Sequence, residues 1–494
     1  GHALLENDTH IGFSQPAVWY EAHIEYPGHS FYGNHAAMIP FGVLGRNNFG
    51  AWGITMFEND DVDFFREKLN PENPKQYKYG NNWKPLLTRK EIIKVKGEED
   101  IILEVAETVR GPIINEVFKN LPNEKNEAPI SVWWAFRDVK NDLLETIYTM
   151  DHHSNMAEMK SAVSQIEAPG LNIMYANVND EMAWWAAAKL PQRSKDMNPQ
   201  TINNAFDNTP FLGNYEFSQN PQNENPVSGY LYSANNQPDT IAGILYQGYY
   251  VPEDRAKRIV NLLESKNDWT AQEAQTMTTD DHSPNHLNMV SALLEVIKSE
   301  NNDETNNQIL KILENWDGNH GREAIAPTLY YSLLSQTIHD AMADELSEVV
   351  YKEFKSTHIM KRTYYNLITN DSSVWWDDKK TDKKESRKDI IVEAYRQSIS
   401  TLENRYGANA DEWKWGNAHT LEHPHAIGKV KPMDKIFNVG PFSVAGGMQV
   451  INNLMFPLST DGTFETTAGA AVRTVIELDD IGHGYTILPR SEER

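Results

Sequence analysis

Phe49-Gly50-Ala51-Trp52-Gly53-Ile54-Thr55-Met56-Phe57-Glu58-Asn59-Asp60-Asp61-Val62-Asp63 joins two kinds of sequence in one short stretch. The first half is an apolar run with aromatic and β-branched residues, which reads as a buried strand. Glycines inside such a run mark places where another chain segment comes close. The second half sets three aspartates among four positions. They repel one another unless a cation offsets the charge. In an extended segment Asp61 and Asp63 share one side, while Asp60 points the other way with Val62. A hard divalent ion takes carboxylate and carbonyl oxygens, so Asp60, the Val62 carbonyl and Asp63 can form part of a Ca²⁺ site. An acidic surface turn accounts for the same residues. An EF-hand loop is excluded, because its glycine and closing glutamate are missing.

Strand signals continue on both sides of this stretch. Val18 to Tyr26 mixes aromatic and β-branched residues and stops at Pro27-Gly28. Ile92 to Lys96, then Gly97 and acidic residues, then Ile101 to Val105 has the pattern of a hairpin, ended by Thr108-Val109-Arg110-Gly111-Pro112. Helix signals follow. Asn155 with Glu158 is a capping-box pattern opening a helix through about Ile166, and Thr270 with Glu273 repeats it. Ser283-Pro284 supplies an N-cap and a first-turn proline for a helix to about Lys298. Ile309 to Leu313 and Leu329 to Met342 continue in the same way, and Lys379 to Lys388 reads as a solvated loop or helix face. After Gly407 strand and turn character returns. Strand-rich segments 1–150 and 407–494 therefore enclose a helix-rich section of about 255–405, which argues for one interleaved α+β body over 1–494.

The bulk numbers exclude several classes. Lys and Arg number 45 against 70 Asp and Glu, a net charge of −25. Nucleic acid and anionic membrane surfaces would repel such a body. The absence of cysteine removes disulfides, thiolate metal sites and a cysteine nucleophile. No apolar run approaches the ~18 residues a membrane span needs.

Two further groups of residues have chemical potential. Tyr232-Ser233-Ala234-Asn235-Asn236-Gln237-Pro238 reads as a turn, but an asparagine amide can also donate to a developing oxyanion. The histidines are His152-His153 and the set His419, His423 and His425. His419 and His423 have the spacing of zinc ligands on a helix. Pro424 and the surrounding glycine and asparagine oppose a regular helix, and no HExxH motif is present, so packed histidines are the better reading. No G-x-S-x-G elbow occurs.

Taken in order, a longer set of motifs resembles the β-chain of the penicillin acylase family, N-terminal-nucleophile (Ntn) amidohydrolases, along nearly the whole chain. The set is Asn7-Asp8-Thr9-His10-Ile11-Gly12 with Trp19-Tyr20-Glu21; Gly45-Arg46-Asn47 through Trp52-Gly53 to Asp60-Asp61-Val62-Asp63; Val109-Arg110-Gly111-Pro112; Ser228-Gly229-Tyr230 through Asn235-Asn236-Gln237-Pro238; Asp254-Arg255; Leu313 with Trp316-Asp317-Gly318; Trp415-Gly416 with His419 and His423; and Gly440-Pro441-Phe442. The resemblance implies an αββα sandwich: two stacked antiparallel sheets flanked by helices, with a large helical insert. It implies that the Asn235 side-chain amide and the Met56 backbone N–H form an oxyanion hole, that Arg255 orders the network around Asn235, and that the His10 backbone lies beside the nucleophile. Ile11, Leu44, Ile54 and Leu171 would line the acyl pocket, although each also reads as ordinary core. Asp60, Val62 and Asp63 match the family's ligands for a structural Ca²⁺, with Pro199 as a carbonyl ligand. A further aspartate is expected between Asn236 and Arg255, where Asp239 is the only acidic candidate before Glu253. The completing glutamate belongs to an α-chain from the same precursor. No organic cofactor is implied.

The implied reaction is hydrolysis of an N-acyl amide by a serine at the mature N-terminus, whose α-amine serves as general base. Acylated amines such as β-lactam side chains and acyl-homoserine lactones are the implied substrates, and the periplasm or the exterior the implied location. Residue 1 is glycine, and the family's serine precedes this position. The expectation is therefore an internal piece of a longer precursor, inactive as written, which at its other end stops just past Tyr485 to Pro489. Two other readings remain: a silent relative acting as a binding or scaffold protein, and a metalloenzyme built on the aspartate and histidine clusters.

Overall fold

Six strands open the chain: β1 (Leu4–Gly12), β2 (Trp19–Tyr26), β3 (His29–Ala36), β4 (Leu44–Arg46), β5 (Gly50–Met56) and β6 (Val62–Arg66). They are described in a computed structural model that covers residues 2–488 apart from 116, 118–127, 141, 206–210, 239, 241–242 and 300–303. Gly1, Asp239 and the end of the chain from Pro489 to Arg494, all singled out above, lie outside the described residues.

The apolar run around Trp52 is β5, and it lies inside a seven-stranded sheet. The order is Gln222–Glu224, Met182–Ala187, Leu171–Asn177, β5, β4, β3, β2, and every neighbouring pair is antiparallel. With strands on both sides and cover on both faces, β5 is apolar without alternation. A second, three-stranded antiparallel sheet runs β1, Ala468–Glu477, Gly484–Ile487. The two sheets stack through small residues. Ala3 and Leu5 of the smaller sheet meet Ala51 and Ala176 of the larger. Gly53 is needed for the approach: a Cβ there would lie 2.6 Å from the Asn7 side chain.

Helices cover the outer faces. α1 (Leu143–Asp151) and α2 (Met156–Val163) bring Met150, Met159, Ala162 and Val163 onto Trp52, Ile173, Tyr175 and Trp185 of the larger sheet. Helix Ala271–Thr278 sets Ala271 and Ala274 on Leu4 and Val475 of the smaller one. The result is four layers, helix–sheet–sheet–helix. Between Asp254 and Tyr406 the chain is mainly helical. Helix Ala326–Met342 is buried almost all round, which matches a helix hydrophobic on every face.

Local signals read from sequence hold at most ends. Ser283 caps helix Pro284–Lys298, and Thr270 and Glu273 form a full capping box. The Asn155 box is only half made: its oxygen accepts from Glu158 N, but the Glu158 carboxylate turns back to Ser154. α2 ends at Val163, short of Ile166. Leu87–Ile93 and Ile101–Thr108 form the expected hairpin. His419 and His423 bound a strand, not a helix, and His419 Nδ1 lies 2.8 Å from the Phe464 carbonyl. These are packed histidines. The Val109-Arg110-Gly111-Pro112 motif has a structural role as well: buried Arg110 pairs with buried Glu67 at 3.2 Å, and both touch a strand turn whose Gly111 carries φ +141°. Among the described residues no helix is long and apolar enough to cross a membrane.

Candidate functional site

The end of β5 is where the sheet opens. Phe57 N–H bonds the Gly170 carbonyl at 3.1 Å, and the register carries on through Met56 opposite Leu171. Antiparallel pairs alternate between bonded and non-bonded. The Met56 N–H and C=O are therefore not spent on the backbone ladder with strand Leu171–Asn177. Asn235 Nδ2 donates to the Met56 carbonyl at 2.9 Å.

Asn235 is held in a left-handed turn, φ +59°, a conformation asparagine tolerates better than most residues. Its backbone carbonyl accepts from Val251 N at 3.0 Å. Arg255, near the start of α3 (Asp254–Leu263), fixes the amide: Nη2 donates to Asn235 Oδ1 and to the Ala234 carbonyl, both at 2.9 Å. A guanidinium only donates, so the atom facing it must be the oxygen and the NH₂ must face Met56. One amide N–H is spent on the Met56 carbonyl. The other has no acceptor among the described residues. An amide N–H fixed in this way can donate to an oxygen that is gaining negative charge.

Neighbours prop these groups. Asn172 Nδ2 also donates to the Met56 carbonyl at 3.0 Å, and Trp184 Nε1 holds Asn172 Oδ1 at 2.9 Å. Thr55 and Ser233 hydroxyls meet at 2.8 Å, tying β5 to the Asn235 turn. Asn7 of β1 donates to the Ile54 carbonyl at 3.2 Å. Sequence reading gave no supporting role to Asn7 or Ser233, which it quoted only within motifs, and missed Asn172 and Trp184, because the partners of all four are distant in sequence.

His10 follows a bulge in β1 between Thr9 and His10. Its Nε2 lies 3.4 Å from Asp8 Oδ2, and Arg473 Nε lies 3.2 Å from the same oxygen. The imidazole thus pairs with Asp8, while Asn7 and Ile11 face the larger sheet. Burial raises the Asp8 carboxyl, but His10 and Arg473 more than offset it and hold it below its ordinary range. Glu6, on the same face of β1, is pushed up to about 8 by burial and by Asp8. Around Arg255 lie further charges. Burial lowers its pKa against the attraction of Asp8, Glu58 and Asp254. Burial also raises Glu58 to about 7 and lowers Lys361 to about 8. Glu58 and Lys361 were not legible in the sequence either.

The four pocket residues divide. Ile11, Leu44 and Ile54 share an apolar cluster with Trp19, and Ile54 and Leu171 also border the cluster under α1 and α2. Leu44 is fully buried and is core. Ile11, Ile54 and Leu171 keep some exposed surface.

At the residues expected to bind calcium, the structure places a cation of the chain itself. Arg193 lies between the aspartates. Its Nε is 3.0 Å from Asp63 Oδ2, and its Nη2 is 3.2 Å from Asp60 Oδ2 and 3.1 Å from the Asp60 carbonyl. Nη1 reaches Tyr246 Oη at 3.1 Å. The cation that offsets the repulsion is a guanidinium of the chain itself. A Ca²⁺ held by Asp60, Val62, Asp63 and Pro199 would share both carboxylates with this fork of N–H donors. Pro199 lies in the turn after Arg193, beside Gln200, which bonds Gln247. The alternation argument also failed here: the strand begins only at Val62, so Asp60 is free to turn to the same side as Asp63. Burial nevertheless pushes Asp63 up to about 6. Adding millimolar Ca²⁺ is expected to leave the melting temperature unchanged. A clear rise would support the calcium reading.

Two stacked antiparallel sheets between helices are the architecture of the Ntn-hydrolase class of fold. The structure superposes on a thermostable penicillin G acylase from Alcaligenes faecalis with a TM-score of 0.70, at 20% identity, covering 97% of this chain and 86% of that one. The penicillin amidase family model matches residues 1–494, and the chain belongs to that family. An acyl-homoserine lactone acylase, QuiP, of Pseudomonas aeruginosa is 25% identical over 463 residues, 87% of this chain and 54% of the relative. A penicillin G acylase of Escherichia coli is 25% identical over 440 residues, 83% of this chain and 51% of the relative. The chain spans about half the length of these curated relatives.

Proposed function

We propose that the protein hydrolyses an N-acyl amide through an acyl-enzyme, with Asn235 Nδ2 and the Met56 N–H as the oxyanion donors. The observation that carries this reading is the fixed Asn235 amide: Arg255 takes its oxygen, and one N–H remains for a ligand. Attack comes from a serine N-terminal to this sequence, as the resemblance implies, with its α-amine taking the proton. The tetrahedral intermediate places its oxygen on the two donors. The protonated amine then delivers its proton to the departing nitrogen, and water releases the acid by the same route in reverse. No metal takes part in these steps.

The acyl group would lie against Ile11, Ile54 and Leu171. Amides with an apolar acyl chain are the substrate class, which includes acyl-homoserine lactones and penicillin side chains, the compounds that name the relatives. The working protein includes an α-chain from the same precursor and lies in the periplasm or outside the cell. A scaffold protein without activity is the second reading.

The test uses the full-length, processed protein and a panel of N-acyl amides graded by acyl length. Release of the free acid is expected, with kcat/KM changing about 10-fold or more for each methylene gained or lost from the best acyl chain. If no amide on the panel is hydrolysed, the scaffold reading stands instead.

A further inference from the structure

Outside the network around Asn235, a second group of polar side chains converges at the closed end of the β2–β3 hairpin. Tyr26 and His29 face each other across that end. Asp151 is the last residue of α1, and His152 is its C-cap. His29 Nε2 lies 3.6 Å from Asp151 Oδ1. One ligand atom from each of His29, Asp151 and His152 lies within 4.8 Å of the others. The two imidazole rings stack at 4.3 Å, and the Tyr26 hydroxyl hydrogen-bonds His152 Nε2.

We propose that His29 Nε2, Asp151 Oδ1 and His152 Nε2 bind a divalent cation of the zinc class, with the fourth position left to water or to Tyr26 Oη. Four observations support the site. Asp151 is 5% exposed, and its Oδ1 has no hydrogen-bond partner; a buried carboxylate oxygen left unpaired is costly, and a cation would satisfy it. His152 Nδ1 lies 2.8 Å from the Tyr148 carbonyl. A carbonyl only accepts, so Nδ1 carries the proton and Nε2 presents its lone pair, the tautomer that metal-binding histidines use. The carbonyl end of α1 also points here, and its partial negative charge favours a cation. Finally, the turn is anchored in advance: Asn47 Nδ2 donates to the Asp151 carbonyl at 2.9 Å and to the His153 carbonyl at 2.8 Å. The Gly45-Arg46-Asn47 motif thereby gains a role independent of catalysis.

The donor set decides the metal. Two imidazoles and one carboxylate suit zinc, whereas calcium and magnesium prefer oxygen throughout. Bonds of about 2.0–2.1 Å in a tetrahedron place neighbouring ligand atoms roughly 3.4 Å apart. The His29–Asp151 pair is already near that spacing. His152 reaches it by turning away from the Tyr26 hydroxyl. A bound metal would pin the β2–β3 hairpin to the junction of α1 and α2.

The full-length processed protein, stripped with chelator, is dialysed against Zn²⁺ and, separately, Co²⁺. One equivalent of zinc retained, a visible absorption band of four-coordinate Co²⁺, and a higher melting temperature with Zn²⁺ are expected. His29→Ala and His152→Ala each weaken zinc binding at least as much as the ~10–100-fold lost with an outer-shell partner. His23→Ala, on the same hairpin but half exposed, leaves it unchanged. Wild-type protein that retains no zinc overturns the proposal, and so do His29→Ala and His152→Ala proteins that bind zinc as tightly as wild type. If those variants fail to fold, the wild-type stoichiometry and the Co²⁺ spectrum decide.

Discussion

Asn235→Ala in the full-length processed protein lowers kcat for amide hydrolysis about 10²–10³-fold, roughly 3–4 kcal/mol, and leaves KM nearly unchanged. The split follows from geometry. In the proposed mechanism the second Asn235 N–H meets the carbonyl oxygen best after it has become tetrahedral and charged, so its loss falls on the transition state. Asn235→Asp is the sharper comparison. It has nearly the same shape and keeps an oxygen for Arg255 Nη2, now 2.9 Å from Asn235 Oδ1, but it has no donor to offer. It is expected to lose at least as much activity as the alanine variant. Steady-state kinetics on the best amide of the panel checks both. A kcat within about threefold of wild type for either variant would remove Asn235 from the oxyanion hole.

Arg193→Leu destabilises the fold by about 3–5 kcal/mol. The loss comes from what remains: Asp63 has a side chain with no exposed surface, and without the guanidinium its charge and that of Asp60 have no counterion. Urea unfolding should show a lower midpoint with an unchanged slope, which marks lost stability without a change in the surface exposed on unfolding. Arg193→Lys should recover only part of it. An ammonium is a point charge and cannot bond Asp63 and the Asp60 carbonyl at once as the planar fork does. A neutral result for Arg193→Leu would mean that the aspartates find another cation.

What could be read in advance was local. The helix cap at Ser283-Pro284 and the box at Thr270 and Glu273 are each encoded within a few residues and formed as read, and the hairpin around Gly97 formed with its first strand at Leu87–Ile93 instead of Ile92 to Lys96. Asn235, Met56 and Arg255 were legible through the ordered set of motifs, and the structure brings these three into contact. Arg193 was not legible. It lies 130 residues from Asp63 in sequence, and no spacing rule links an isolated arginine to an aspartate cluster so far away. Asn172 was missed and Asn7 given no supporting role for the same reason, since their partners lie on other strands or on the other sheet. The half-made Asn155 box shows the limit at short range as well: a serine one place earlier competed for the glutamate and won.

The pairing of β1 has a consequence for timing. Leu4 lies opposite Glu477, and the strand that completes the smaller sheet is made near the end of the chain. Closing a loop of that length costs about 5 kcal/mol in chain entropy before any contact of that sheet repays it. Contacts between such distant segments form late and slowly. The backbone partners of Asn7, Asp8 and His10 in that sheet are Thr474, Arg473 and Ala470, so this side of the site is completed only when strand Ala468–Glu477 is present. A chain whose synthesis has not reached that strand leaves β1 without its ladder, and any chemistry that depends on this side of the site waits for it.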